Sequence, residues 1–310
     1  MAPDPTPTLN IIGAGRVGKT LARLWNATQL VQVQDVLCRT TASATAATEF
    51  IGGGTPTIHY ADLRPASVHL LAVPDDDLQA AADSLTRLVD VDAATVFHVS
   101  GLLTSDVLES ARINGARTAS VHPIKSFADP AMAASTFAST PCGTEGHPVA
   151  LEVLTRLFTE IGGETFTIDA SQKALYHAAT VIGSNYVVTL ADLAQRCLVA
   201  AGVPVEQAKG ILAPLLQGTM QNIVELGVTR ALTGPIVRGD MATVIAHLDA
   251  LEAWDPSIAN TYTDLATHTL VIAERQGTSP RRLDAIRKHL LDGHLTDVRS
   301  AGPDGSHDEV

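Results

Sequence analysis

Residues 9–18 read Leu9-Asn10-Ile11-Ile12-Gly13-Ala14-Gly15-Arg16-Val17-Gly18. A short apolar run, Leu9 to Ile12, enters a Gly-x-Gly-x-x-Gly sequence, and a helical pattern through Leu21, Leu24 and Trp25 leaves it. Strand before and helix after is the context that a dinucleotide-binding turn requires. Gly13 permits the tight turn, Gly15 lets the backbone approach a pyrophosphate, and Gly18 lets helix and strand pack closely. Amides at the helix N-terminus then face the phosphates. Gly13, Ala14, Gly15, Arg16, Val17 and Gly18 are therefore the expected cofactor-binding turn.

Working outward, a second strand, Val33 to Cys38, ends at Arg39-Thr40-Thr41. A site for NAD usually carries Asp or Glu there, to bind the ribose 2′-hydroxyl. Arg39 offers a planar fork for a 2′-phosphate and a face for adenine, with Thr40 and Thr41 beside it, which favours NADPH. The other reading of Arg39 is a surface residue opening the next helix. Gly52-Gly53-Gly54 and Pro56 mark a loop. Further strands are expected at Val68–Val73, Thr95–Val99, Thr118–Val121 and Glu164–Ile168, with one more near Cys142. In an open parallel sheet, ligands bind beyond the strands' carboxyl ends. Val73, Pro74, Ser100 and His122 fall at such ends and are candidates for the site; Ser100 and His122 also fit as plain turn residues. Asp75, Asp76 and Asp77 read as helix caps. His98, inside its strand, reads as a core histidine.

Lys173 to Leu193 reads as one helix. At about 100° per residue, Lys173, His177, Thr180 and Ser184 share one face, and Leu175, Ala179, Ile182, Tyr186 and Leu193 share the opposite one. A polar stripe on the first helix after a nucleotide domain is where a substrate meets a cofactor. Beyond it, helices are expected at about 204–226, 241–253, 257–275 and 280–291, and no strand after Ile168. Asp240 has the position of an N-cap. The expected architecture is α/β: an N-terminal Rossmann doubly wound sheet at 9–169 and an all-α domain at 170–295, for substrate and dimerisation. A disordered lead, 1–8, and a disordered tail, 296–310, flank them.

The bulk numbers narrow the functional classes. A chain of 310 residues, 45% hydrophobic, is long enough for two cores. A net charge of −12 argues against nucleic acid as partner, so an anionic cofactor must find local cations. Cys38, Cys142 and Cys197 lie far apart and make no metal or redox spacing, as in a reduced cytoplasmic protein. The N-terminus lacks the basic start and apolar core of a signal peptide. No apolar run reaches membrane-spanning length.

Taken together, several motifs resemble one family. They are the Gly-rich turn, Val-Pro-Asp at 73–75, Val-Ser-Gly at 99–101, His-Pro at 122–123, Lys-x-x-Tyr-His at 173–177, Ser-Asn at 184–185 and Leu-Thr-Gly-Pro-Ile-x-Arg-Gly-Asp at 232–240. The chain resembles Rossmann-like oxidoreductases with a C-terminal helical DUF2520 domain, similar in plan to 6-phosphogluconate dehydrogenases. Some members of that group are alternative ketopantoate reductases. The resemblance implies an NADPH-dependent enzyme acting on a CH–OH/C=O couple, with a small 2-oxo acid as substrate and ketopantoate to pantoate as the reaction. It implies Lys173 as proton donor to the substrate oxygen, with His177 beside it. β-Hydroxyacid dehydrogenases of the superfamily carry Asn four residues after that Lys, so His177 is a departure. Arg238 would hold the substrate carboxylate, with Ser100, His122, Asn185 and Asp240 as further substrate contacts. A homodimer through the helical domain is expected separately, from apolar positions on the helices of 204–291 that are too many for one small bundle to bury. The alternatives are an imine reductase or a 3-hydroxyacid dehydrogenase on the same scaffold, or a non-catalytic NADP-binding dimer.

Overall fold

The computed structural model describes residues 6–300, with the backbone alone for 292–300. Most of the expected tail, 301–310, and most of the expected lead, 1–5, lie outside the described residues. The chain forms two compact units, the first ending at Tyr186 and the second beginning at Val187.

The first unit is built on an eight-stranded sheet in the order β3-β2-β1-β4-β5-β6-β7-β8. The strands are β1 (Thr8–Ile12), β2 (Gln32–Leu37), β3 (Thr55–Thr57), β4 (Val68–Leu71), β5 (Thr95–His98), β6 (Arg117–Pro123), β7 (Thr140–Gly146) and β8 (Gly163–Thr167). Helices α1 (Arg16–Thr28), α2 (Thr41–Ile51), α3 (Leu78–Leu88), α4 (Glu109–Ile113), α5 (Pro130–Ser135) and α6 (Pro148–Glu160) connect or flank them, and α7 (Lys173–Gly183) follows β8. Every residue of β4 and β5 is buried, as a sheet covered on both faces demands. On one face Trp25 meets Phe158 edge-on at 5.2 Å and Phe97 at 6.2 Å, and its Nε1–H donates to the Leu157 carbonyl at 2.9 Å. Pairing the indole N–H lets this large side chain stay fully buried. The other face is filled by Ile12, Leu71, Leu85, Val96 and Leu108.

Four features depart from the sequence reading. The sheet is not parallel throughout, because β7 runs antiparallel to β6. Pro56, expected in a loop, lies in the short edge strand β3, a place where a missing N–H is tolerated. The 173–193 stretch is two helices. Ser184 leaves helical geometry (φ −127°, ψ −69°) after Gly183, and α8 (Asn185–Ala200) restarts there; adjacent Gly and Ser are weak points in a helical ladder. The first compact unit runs on to Tyr186, so α7 packs with the sheet rather than opening the helical unit expected from 170.

The second unit is helical, and no strand follows Thr167 among the described residues. It holds α9 (Val205–Ala231), α10 (Pro235–Arg238), α11 (Met241–Trp254), α12 (Pro256–Arg275) and α13 (Pro280–Ser300) after the bulk of α8. Ile236 of α10 joins Val244, Leu270, Ala273, Leu283, Ile286 and Leu290 of the last three helices in its core. In contrast, α8 buries no residue, and α9 buries only Ala208 and Leu212. Gly227 (φ 75°, ψ 158°) interrupts α9 near its end.

Candidate active site

A groove of about 950 Å³ opens in the first unit at the carboxyl ends of β1, β2, β4 and β5. The strand order reverses there, between β1 and β4, which is the topological switch point. The three glycines have the separate duties that the turn demands. Gly13 is left-handed (φ +86°), and a Cβ on it would stand 2.7 Å from Val73 Cγ1 and 2.8 Å from the Ala72 carbonyl oxygen. A Cβ on Gly18 would meet the Gly13 carbonyl oxygen at 2.5 Å, so helix and turn touch there. A Cβ on Gly15 would meet nothing within 4 Å among the described residues beyond its chain neighbours, which leaves this turn open on the groove. No side chain caps α1. Its first amides are therefore left for an anion, the arrangement that holds a pyrophosphate.

The groove wall beyond β2 carries Arg39 and Ser43. Arg39 is exposed and makes no ion pair among the described residues, and the same holds for Arg16. The one carboxylate on β2, Asp35, is buried inside the strand and bound to Arg64 at 2.5 Å. Among the described residues, no acidic group thus stands at the end of β2 to take a ribose 2′-hydroxyl. Thr40 and Thr41 depart from expectation. Thr40 caps α2 by accepting from the Ser43 N–H at 3.2 Å, Thr41 is the first residue of that helix, and neither lines the groove.

Val73, Pro74 and Ser100 line the groove. Asp75 departs from its expected capping role: it accepts from Ser100 Oγ at 2.8 Å and also lines the groove. Ser100 Oγ in turn accepts from the Leu102 and Leu103 amides at 3.1 and 2.9 Å, which sets the turn after β5. His98 is fully buried and bonded to Thr104 and Ser100, and burial pushes it down to about 3.

At the end of the groove, α7 brings His177 to the wall. His122, from β6, stands behind it, with ring centroids 5.6 Å apart and nearly perpendicular at 78°. Gly101 lies between them. A Cβ added there would collide with His177 Nδ1 and stand 2.9 Å from His122 Nε2. Only glycine lets two imidazole nitrogens converge on this point. His122 Nδ1 bonds Tyr176 Oη at 2.7 Å. Burial, then the neighbouring His177 and Lys173, push His122 down to about 4. Burial pushes the Tyr176 hydroxyl up to about 12.

Lys173 is not in the groove wall. Its Nζ is buried and bonded to the Leu103 carbonyl, to Ser120 Oγ at 2.5 Å and to Glu145 Oε1 at 3.1 Å. Glu145 also accepts from the Ser105 N–H and Oγ, each at 2.8 Å. The lysine thus ties α7 to β6, β7 and the segment after β5. Burial lowers its affinity for a proton, and Glu145 opposes that. Asn185 begins α8 and does not line the groove. Arg238 and Asp240 belong to the second unit. Asp240 caps α11 through the Thr243 N–H at 3.2 Å, as expected, and lies 3.9 Å from the largely exposed Arg238.

Sequence reasoning missed Gly101, Tyr176, Ser43 and Glu145. Gly101 and Tyr176 sat inside quoted motifs, but nothing in their spacing marked a contact between β6 and α7. Glu145 is a lone carboxylate in a stretch read as irregular.

The fold and site define a Rossmann-like dinucleotide-binding unit, and residues 4–123 match the Rossmann-like domain family. Residues 140–269 match the family described as a domain of unknown function, DUF2520, so the chain joins a Rossmann-like domain to a DUF2520 domain. Its structure is similar to protein TM1727 from Thermotoga maritima, at 27% identity over 86% of this chain and 99% of that one, with a TM-score of 0.68. It is similar to BF3122 of Bacteroides fragilis, at 21% identity over 86% and 98% and a TM-score of 0.71. A reductive aminase from Aspergillus terreus, solved with NADPH and ethyl-5-oxohexanoate, is 18% identical over 98% and 97%, with a TM-score of 0.57. No curated protein matches the chain in sequence.

Proposed function

We propose that this protein is an NADPH-dependent oxidoreductase that reduces a small carbonyl compound, a 2-oxo acid with ketopantoate as the first candidate. The observation that carries this reading is the continuity of the groove: a glycine cradle with Arg39 at the adenosine end and His177 at the other. Gly13 to Gly18 and the amides of α1 would hold the pyrophosphate, and Arg39 with Ser43 would hold a 2′-phosphate. NADPH, when bound, supplies the hydride. His177 lines the groove and donates the proton to the substrate oxygen as charge develops there. His122 stays neutral and gives a hydrogen bond rather than a proton. Lys173 has a scaffold role in this reading, and Arg238 is kept as the candidate carboxylate ligand. Imine reduction is the second reading, favoured by the likeness to the reductive aminase, because the same groove suits a C=N bond. The helical unit forms a homodimer, supported by exposed apolar side chains on α8 and α9 such as Val188, Leu215 and Val224. Free Cys38, Cys142 and Cys197 suit the cytoplasm, and no described helix is long and apolar enough to cross a membrane.

The test is steady-state oxidation of NADPH and NADH against a panel of 2-oxo acids, ketopantoate included, and cyclic imines, with the reverse reaction on hydroxy acids. Turnover of ketopantoate with NADPH supports the first reading, and turnover of imines alone selects the second. Tight NADPH binding without turnover of any panel member rejects both in favour of a nucleotide-binding protein.

A further inference from the structure

Tyr176 makes, among the described residues, the one hydrogen bond that reaches the His122 ring. Its hydroxyl lies 2.7 Å from His122 Nδ1, with the two rings nearly perpendicular at 89°. We infer that Tyr176 is a positioning residue: its hydroxyl donates to His122 Nδ1, so His122 carries its proton on Nε2 and presents that N–H beside Gly101 and His177, as a donor to the substrate's carbonyl oxygen.

A neutral imidazole has one N–H and one acceptor nitrogen, and the partner of one nitrogen decides the state of the other. Both partners are neutral near pH 7: burial holds Tyr176 up at about 12 and His122 down at about 4. Tyr176 therefore keeps its O–H. Among the described residues, His122 Nδ1 is the acceptor within its reach. The opposite arrangement, Nδ1–H donating to the phenol oxygen, leaves the tyrosine O–H without a protein acceptor among the described residues, the less favourable pairing. Phe166 packs edge-on against Tyr176 at 6.3 Å and Gly143 leaves room for the hydroxyl, so the phenol is fixed from two sides. On the far side of the imidazole, Nε2 has no protein partner among the described residues. It comes close to the Gly101 backbone, 2.9 Å from where a Cβ would lie, and His177 Nδ1 crowds the same point. A substrate oxygen held in the groove against Gly101 and His177 would have this N–H just behind them as a hydrogen-bond donor. A donor already in place when charge develops needs no reorganisation.

The inference deepens the reductase reading and rests on it only for its kinetic consequence. The test has two arms on the full-length protein. In the first, nitrogen-15 NMR reads the histidine tautomers of the protein with NADP alone, the His122 signals being identified by their loss in His122→Asn. The expected result at neutral pH is the Nε2–H tautomer, shifting toward a mixture in Tyr176→Phe. An Nδ1–H tautomer or a charged ring in the wild type overturns the inference, as does an unchanged tautomer in Tyr176→Phe. This arm needs no turnover and so decides even where the reductase reading fails. If Tyr176→Phe does not fold, as judged by NADP binding, the wild-type tautomer decides by itself. In the second arm, Tyr176→Phe lowers kcat by about 10-fold, the scale of one mispositioned hydrogen bond, with the KM for NADPH unchanged. Wild-type kcat in that variant overturns the positioning role.

Discussion

Lys173 Nζ stands 3.1 Å from Glu145 Oε1, with the two side chains 2% and 7% exposed. A charged pair this deep is a poor proton donor to a substrate in a groove that it does not line, and its first duty is to hold α7 against β6 and β7. Removing one partner leaves the other charge buried and unpaired. Lys173→Met should therefore cost about 3–5 kcal/mol of stability, read as a lower midpoint in urea unfolding. Lys173→Met combined with Glu145→Leu should recover much of that loss. A Lys173→Met protein of normal stability and abolished turnover would instead return the lysine to the chemistry.

His177 is the titratable group on α7 that reaches the groove wall. His177→Ala should lower kcat by about 100-fold or more, the scale of a lost general acid. NADPH affinity should change little, because the cradle at Gly13–Gly18 is untouched. Near-normal turnover in this variant, on whichever carbonyl substrate is found, would move the proton donor elsewhere.

Arg39 stands where an acidic residue would select NAD. Arg39→Ala should weaken NADPH by about 10- to 100-fold, from the roughly 1.5–3 kcal/mol of a hydrogen bond to a charged group, and leave NADH nearly unchanged. Fluorescence titration of both cofactors measures this. Equal loss for both would assign Arg39 to adenine stacking rather than to the 2′-phosphate.

Acid should destabilise the first unit well above the carboxylate range. Burial lowers His69 to about 4, His98 to about 3 and His122 to about 4. The unfolded chain protonates these histidines near 6.5, so between about 6.5 and 4 it binds more protons than the folded chain. Stability is full above that window and falls as pH drops through it, by up to about 1.4 kcal/mol per pH unit for each histidine. Thermal midpoints from pH 7 to 4.5 should fall steadily, and less steeply in His69→Phe. A flat profile would show that these rings are protonated in the folded state.

The helical unit should be dimeric. Val224 is 81% exposed and Leu215 61% on α9, a helix that buries almost nothing within its own unit. Light scattering at micromolar concentration should give twice the chain mass, and Val224→Asp should shift the population toward monomer. A wild-type monomer under these conditions would remove the homodimer from the proposal.

The order of elements and the cofactor turn were legible in the sequence because both are local properties. Apolar runs of four to six residues, punctuated by glycine and proline, mark the strands of a sheet buried on both faces. The three glycines of the turn are demanded by backbone approach, which adjacent residues settle among themselves. What lay beyond the sequence depends on contacts between distant segments. Lys173 and His177 share a helix face and looked equivalent. The packing of α7 against the sheet sends the lysine to Glu145, 28 residues away, and leaves the histidine on the groove. Tyr176 meets His122 across 54 residues, and Thr40 was spent on capping α2. Spacing along one helix reports direction, but not depth. Whether a side chain ends in solvent, in a groove or against a buried carboxylate is decided by what packs over it, and that is set only when the sheet and its helices close together.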